Sequence, residues 1–507
     1  MINFCSISSL FSLLFLAQLS NVLNAQTFVS EVWSGSGGQS AVFQKNVTVT
    51  DANKNVYVAG STYISEGNYD IILQKFNPSG TLLWQKVYGG AAGLSDYAAD
   101  IFVDQNLDIY ITGTVIESVN NNYDLVVLKY SSAGTLLWHY EYNNGGSNTP
   151  YDAGTAIIGD NQGKIFVTGG SFGVNTFSDY VLIKLSTSNA SPDWIKRYDY
   201  AQLNDIPGKI ALTSNEVVIS GGSQITTSPE RWEMASVIYD RYNGNYITDK
   251  RSAGNATSGV DEIYDIVVSG SGSIHLTGAV KNTSTDYDIK IIKLDENYNI
   301  IWEQELDSNN DTDKGFGIVT DNQNNVYVAG YSTSSTSGKN SILLKYNSSG
   351  TLQWKRELDG KAHLDDEAVQ LVLKGGVLIV AAAINNDGFS DYAALVYDLD
   401  GNIISESFYK GPDDLEDKPS DIAVDVDGNI IITGMSQLID GTYKNKTVKY
   451  SILEKAIAST DNNGNPLSYN NDELLIKFSK SSLKLGAIDN LDFKAGKLSD
   501  FISSSTI

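Results

Sequence analysis

Apolar residues fall in short runs along this chain, each closed by a glycine or a small polar cluster. One run recurs at a nearly fixed step. It reads VYVAG ending at Gly60, IYITG at Gly113, IFVTG at Gly169 and VVISG at Gly221, then IHLTG at Gly278, VYVAG at Gly330, LIVAA at Ala382 and IIITG at Gly434. The steps are 53, 56, 52, 57, 52, 52 and 52 residues, so the chain holds eight internal repeats. A period near 50 residues fits a propeller blade, because each unit must hold about four short strands.

The unit near Tyr97 shows the punctuation. YAADIFV (strand a) is followed by a turn at Asp104 to Leu107 and by DIYITG (strand b). A polar stretch, TVIESVNNN, leads to YDLVVLKY (strand c), a tight SSAG turn and TLLWHYEY (strand d). β-Branched and aromatic residues fill the strands, and Gly, Asn, Ser and Asp mark the turns. Strands b and c are apolar at successive positions, as in DLVVL. A strand with one wet face would alternate, so both faces are covered. Blades packed face to face around an axis provide that cover. Amphipathic helical periodicity is absent until the C-terminus. The pattern predicts an all-β, eight-bladed β-propeller of four-stranded antiparallel blades, with seven blades as the alternative.

The predicted units are 41–90, 91–145, 146–200, 201–254, 255–308, 309–360, 361–411 and 412–453. The last has strands a to c and then loses the pattern. FVSEVWSGSGG, near the N-terminus, aligns without gaps on LWQKVYGGAAG of the first unit, with Val29 at the Trp84 position and Trp33 at the Tyr88 position. Residues 27–35 should therefore supply the missing strand and remove an open sheet edge. Trp84, Trp138, Trp194, Trp302 and Trp354 recur in strand d and are read as packing residues where blades diverge from the axis.

The phrase DxxxNVYVAGST, followed by YDIILQKFNPSGTLLWQKVYGG, resembles the bacterial SBBP repeat (beta-propeller repeat), common in secreted proteins of Bacteroidetes-like bacteria. The resemblance covers about residues 27–452. It implies a propeller scaffold and says little about activity. The family is named for seven blades, whereas eight units are counted here.

Composition adds a compartment and excludes partners. Residues Leu10 to Leu19 form an apolar run of signal-peptide length, and VLNA ending at Ala25 is a small-residue cleavage site, so 1–25 reads as a leader and the protein as secreted or cell-surface. The run is too short to cross a bilayer, and no other stretch is apolar enough to do so. The single cysteine, Cys5, lies before that run, so disulfides cannot staple the mature chain. A net charge of −25 repels phosphate backbones and argues against nucleic-acid partners. From about Ala456 the repeat breaks: 454–471 reads as a polar linker and 472–507 as a tail or the start of a further module. The chain thus reads as a piece of a longer secreted protein, or a truncated member of its kind.

Catalytic motifs are missing: there is no HExxH, GxSxG, P-loop or CxxC. The histidines His139, His275 and His363 fall at unrelated positions. Aspartates in the a–b turns are weak calcium candidates (Asp51, Asp425, Asp427) set against simple Asx-turns. A further set, Asp96, Asp152, Asp205, Asp261, Asp313, Asp365 and Asp417, lies 17 or 16 residues before the b-strand glycine (Ala382 in the seventh unit). These seven either cap the loops entering strand a or ring the channel mouth, where they would attract a cation or a basic ligand tail. No other cofactor is implied. The d–a and b–c connections share one side of the ring, and their aromatics Tyr63, Phe172, Phe177, Trp232 and Phe389 are candidate ligand contacts. Two functions follow: a non-catalytic, monomeric scaffold that binds a protein or carbohydrate ligand, or the propeller part of a larger secreted enzyme with its catalytic module elsewhere.

Overall fold

In the computed structural model the described residues are 23–40, 45–118, 122–144, 151–173, 177–283, 286–308, 311–334, 336–458, 476–477 and 492–493. They form eight four-stranded sheets and one two-stranded sheet. No helix occurs among the described residues. Residues 31–451 form one compact unit, the ring. Residues 1–30 and 452–507 form another, in which Ile476 and Lys477 pair with Phe493 and Asp492. The first 22 residues, which are most of the expected leader 1–25, and most of 454–507 lie outside the described residues, whereas Leu23 to Ala25 begin the strand Leu23–Ser40.

Seven blades are built from strands consecutive in sequence. In the second, Tyr97–Val103, Ile109–Ser118, Asn122–Tyr130 and Leu136–Tyr142 pair in that order. The eighth holds Asp417–Val424, Ile430–Gln437 and Tyr443–Ala458, and its outer strand is Leu23–Ser40 from the other end of the chain. The expected closure is therefore present. Val32 on that strand is 49% exposed, close to the 46% of Val87, the residue it aligns with in the first blade.

The core lies between blades. One cluster joins Tyr57, Ala59 and Leu73 of the first blade to Ile109, Ile111 and Val126 of the second. Another joins Val56, Val58 and Phe76 of the first blade to Ile431 of the eighth, across the closing seam. This explains the apolar runs without alternation in strands b and c. Each face of a blade packs against a neighbour, so both sets of side chains leave water.

The strand d tryptophans form a repeated clasp. Trp84, Trp138, Trp194, Trp302 and Trp354 donate Nε1–H at 3.1–3.2 Å to a carbonyl in the c–d turn of the next blade: Ser132, Thr187, Tyr242, Ser348 and Leu399. Each ring also packs on a strand b ring of its own blade, as Trp84 does on Tyr57 (centroids 6.2 Å apart). In the fifth blade that partner is His275, 6.3 Å from Trp302. His275 is fully buried, and neither ring nitrogen has a well-aligned partner. Burial, with Lys293 nearby, pushes its pKa down to about 4, so the ring is neutral. His275→Phe should raise stability by about 1 kcal/mol, because the buried ring nitrogens have only the Ser273 backbone beside them and no well-aligned hydrogen bond. A thermal melt checks this, and a lower midpoint contradicts it.

The b–c connections are shorter than the polar residues suggested. Strand b of the fourth blade runs Glu216–Thr227 and strand c starts at Glu230. Only Ser228 and Pro229 are left between them. Antiparallel pairing continues through the polar residues into hairpins, since main-chain bonding does not require apolar side chains. Trp232, expected in a loop, is in strand c instead. It is 7% exposed and donates Nε1–H to Glu230 Oε1 at 2.9 Å.

Candidate functional site: the channel mouth

Strand a of blades two to eight carries the same irregularity. Pairing with strand b slips by one residue between Ala98 and Asp100, Gly154 and Ala156, Pro207 and Lys209, and Ile263 and Asp265. It slips again between Gly315 and Gly317, Ala368 and Gln370, and Pro419 and Asp421. In six of these seven blades a glycine on strand b faces the bulge; the seventh makes the same slip with Ala382 in that place. A Cβ on Gly113 would come within 2.0 Å of the Tyr97 carbonyl oxygen, and one on Gly330 within 1.9 Å of that of Lys314. A bulge re-aims the side chains around it, here toward the axis.

The residue after the bulge is charged in four blades. Asp100, Asp265 and Asp421 come from blades two, five and eight and Lys209 from blade four, with Lys45 added from blade one. Charges from five blades act on one another, which places them at the axis. Each aspartate accepts a backbone N–H from the following blade: Ile157 at 2.9 Å, Ile318 at 3.0 Å and Thr48 at 2.7 Å. Burial raises all three carboxyls, Asp421 to about 6, and the amides and lysines only partly offset this. Burial also disfavours the Lys209 ammonium, but Asp265, Asp100 and Asp421 together outweigh it and hold its pKa above the usual lysine value. Lys45 is lowered by burial and then by Lys209. Water reaches these groups along the channel, yet protein surrounds them on every side. Among the described residues no ion pair forms within 4.0 Å of Lys45 or Lys209, so their ammonium donors stay available.

These groups open into a cavity of about 640 Å³ on the d–a and b–c side of the ring. Tyr264 and Phe316, the bulged residues of blades five and six, form an aromatic wall with centroids 5.3 Å apart, and Tyr331 packs 5.7 Å behind Phe316. At the rim Lys339 pairs with Glu367 at 3.0 Å and Lys418 with Glu416 at 2.8 Å. Inside are Lys45, Lys209, Gln370 and Asp421.

The repeated aspartates at the start of strand a lie between blades. Asp96, Asp152, Asp205, Asp261, Asp313 and Asp417 are 0–3% exposed. Asp96 accepts Gly90 N–H and Ile116 N–H, and Asp313 accepts Ser308 N–H and Thr333 N–H. Their own N–H groups reach back to the previous blade, at Tyr69 O and Tyr287 O. Each thus staples a blade junction. In the seventh blade the residue with this role is Asp366, fully buried and bonded to Gly360 N–H and Asn385 N–H. Asp365 is exposed at the cavity rim. Adjacent aspartates and a 16-residue spacing to Ala382 displaced the count by one. Phe43, at this position in the first unit, lies outside the described residues.

The a–b turn aspartates are Asx-turns. Asp51 Oδ1 accepts Asn53 N–H and Asn55 N–H, and its Oδ2 accepts the Tyr57 hydroxyl. Asp425 bonds Lys449 Nζ at 2.8 Å, and Asp427 pairs with Lys54 at 2.7 Å. Of the candidate ligand aromatics, Tyr63, Phe177 and Phe389 are 42–49% exposed, and Phe172 is half-buried.

Residues 301–335 match the model of the SBBP family, described as a beta-propeller repeat. The matched SBBP segment runs from strand d of blade five to the end of strand b of blade six. It includes one clasp tryptophan (Trp302), one junction aspartate (Asp313) and one bulge glycine (Gly330). No curated protein sequence matches the chain. Similar solved structures include quinohemoprotein alcohol dehydrogenase from Comamonas testosteroni, at 10% identity over 89% of this chain and 79% of that one, TM-score 0.50. The beta-propeller domain of the Trilobed protease from Pyrococcus furiosus is 12% identical over 71% of this chain and 97% of that one, TM-score 0.38. A polysaccharide lyase of family PL25, ulvan lyase, is 9% identical over 76% and 98%, TM-score 0.42. At these identities the likeness is one of fold.

Proposed function

We propose that this protein is a secreted or cell-surface propeller whose channel mouth binds a protein or carbohydrate ligand, without catalysing a reaction on it. The observation that carries the reading is the cavity on the loop side, with an aromatic wall (Tyr264, Phe316) facing unpaired donors (Lys45, Lys209). An aromatic face suits the apolar face of a sugar or a side-chain ring. The channel aspartates already accept backbone N–H bonds, whereas the two ammonium groups have hydrogens to give, so the site favours ligands rich in acceptors such as carboxylates and hydroxyls.

A glycan array and a pull-down with the full chain test this, with Phe316→Ala and Lys209→Met as variants. Wild type should retain a defined ligand, and each variant should weaken it at least about tenfold, roughly 1.4 kcal/mol. Retention undiminished in both variants, with folding confirmed by melting, would place the ligand elsewhere.

A further inference from the structure

The fifth blade holds a group of acids that the channel does not use. Asp286 and Asp288 lie where the b–c hairpin enters strand c, and Asp307 follows strand d of the same blade. One carboxylate oxygen from each lies within 4.8 Å of the others. Asp286 and Asp288 are each 3% exposed, although only a shallow layer of protein covers them. The Oδ1 atom of each has no hydrogen-bond partner among the described residues. Asp288 Oδ2 accepts from Asn282 Nδ2, which also donates to Glu305 Oε2 at 3.0 Å.

Five other blades place an acid at the Asp288 position; the third and fourth pair it with an arginine (Asp179 with Arg197, Glu233 with Arg251), whereas Asp70 and Asp124 in the first and second form no ion pair with a cation among the described residues. The position is two residues past the b-strand glycine in pairing register: Asp179 opposite Ser171, Asp288 opposite Val280, and Asp391 opposite Ile384 in the blade with Ala382. Asp391 lies near Lys410, which is itself paired with Asp387 and Asp414. Around Asp286 and Asp288 the charges are all of one sign. Asp307 and Asp311 act on the first, and Asp286, Asp307 and Glu305 on the second. The nearby Lys290 is held by Glu303 at 3.1 Å and Glu305 at 2.8 Å.

Two sealed carboxylates with free oxygens and no positive partner are costly unless a proton or a cation joins them. The donors are oxygens only, which suits a hard divalent ion and gives no thiolate or imidazole to zinc. We propose that Asp286, Asp288 and Asp307 bind a calcium ion that ties the b–c hairpin of the fifth blade to the loop leading into the sixth. A second triad, Asp179, Asp199 and Asp205 at the junction of blades three and four, has similar spacing, but Arg197 already supplies its positive charge.

The experiment is calorimetric titration of the chelator-stripped full chain with CaCl2, with melts in CaCl2 and in chelator. Wild type should bind in the range of extracellular calcium modules, about 10⁻⁴–10⁻³ M, and melt higher with calcium. Asp288→Asn and Asp286→Asn should lose both responses. Without calcium, Asp288→Asn should melt at or above wild type, because it removes one of two repelling charges; this separates loss of the ion from loss of the fold. Absence of binding heat with identical melts in calcium and chelator overturns the site, and so does a response undiminished in both variants.

Discussion

Deleting residues 26–40 should destabilise the ring by about 4 kcal/mol or more, beyond what most single substitutions cost. The deletion removes most of the outer strand of the eighth blade, whose partner is Tyr443–Ala458. That partner would then present a bare edge, which templates pairing between chains. The seam beside it holds the two ends of the repeat together. Thr48 N–H donates to Asp421, Asn46 Nδ2 donates to Gly434 O at 2.7 Å, and Lys54 pairs with Asp427. The truncated chain should melt much lower and form oligomers on size exclusion. A monomer with an unchanged midpoint contradicts closure. The cavity depends on the same seam, since Lys45 of the first blade and Asp421 of the eighth both line it.

Stability should fall as pH rises from 5 to 8 in the presence of chelator. Burial is the largest cause of a raised pKa at each junction aspartate. It lifts Asp96, Asp366 and Asp417 to about 6 and Asp205 and Asp313 to about 7, and it raises Asp152 and Asp261 as well. The strand c acids Asp124 and Asp391 rise to about 6 and about 7 for the same leading reason. A carboxyl raised on folding binds its proton more tightly in the native state. Its stabilisation is complete below the unfolded value near 4 and is lost as pH rises through the native value. The window therefore runs from about pH 4 to about 7. His275, with its lowered pKa, opposes this as one group: its contribution is lost as pH falls below the unfolded value of 6.5 toward 4. Asp321, Asp398 and Asp425 are lowered and act only below the window. Across pH 5 to 8 the summed loss should exceed about 2 kcal/mol, since each raised carboxyl is worth about 1.4 kcal/mol per pH unit of displacement. Calorimetry at constant ionic strength reads it. A midpoint that is flat or rises over that range contradicts the burial of these acids.

What the sequence made legible is what the blades share. The b-strand glycine, the strand d tryptophan and the shared last sheet each follow from a constraint repeated at every junction, and repetition exposes such constraints. The junction aspartates are visible as a set, with the seventh-blade spacing pointing to Asp365 where its neighbour Asp366 makes the bonds. The axis was not legible, for the opposite reason. Asp100, Lys209, Asp265, Gln370 and Asp421 share one place in the blade but differ in type, and a bulge that spacing alone does not locate sets their direction. Tyr264 and Phe316 occupy bulge positions held by Ala99, Thr155 and Ser420 in other blades, so a reading by repeats passed over them. Binding specificity in a repeat ring belongs where the copies disagree. The polar residues around Trp232 carry a loop-like composition, yet strand pairing runs on through them and puts Trp232 in strand c.

Hydrogen–deuterium exchange on the intact chain tests the closed ring most directly. Amides of residues 31–40 that pair with the eighth blade should exchange as slowly as those of Ile430–Gln437 in the centre of the same sheet, and both should open together as denaturant is added. Exchange of residues 31–40 at the rate of a free peptide, with Ile430–Gln437 still protected, would mean that the two ends of the chain share no sheet.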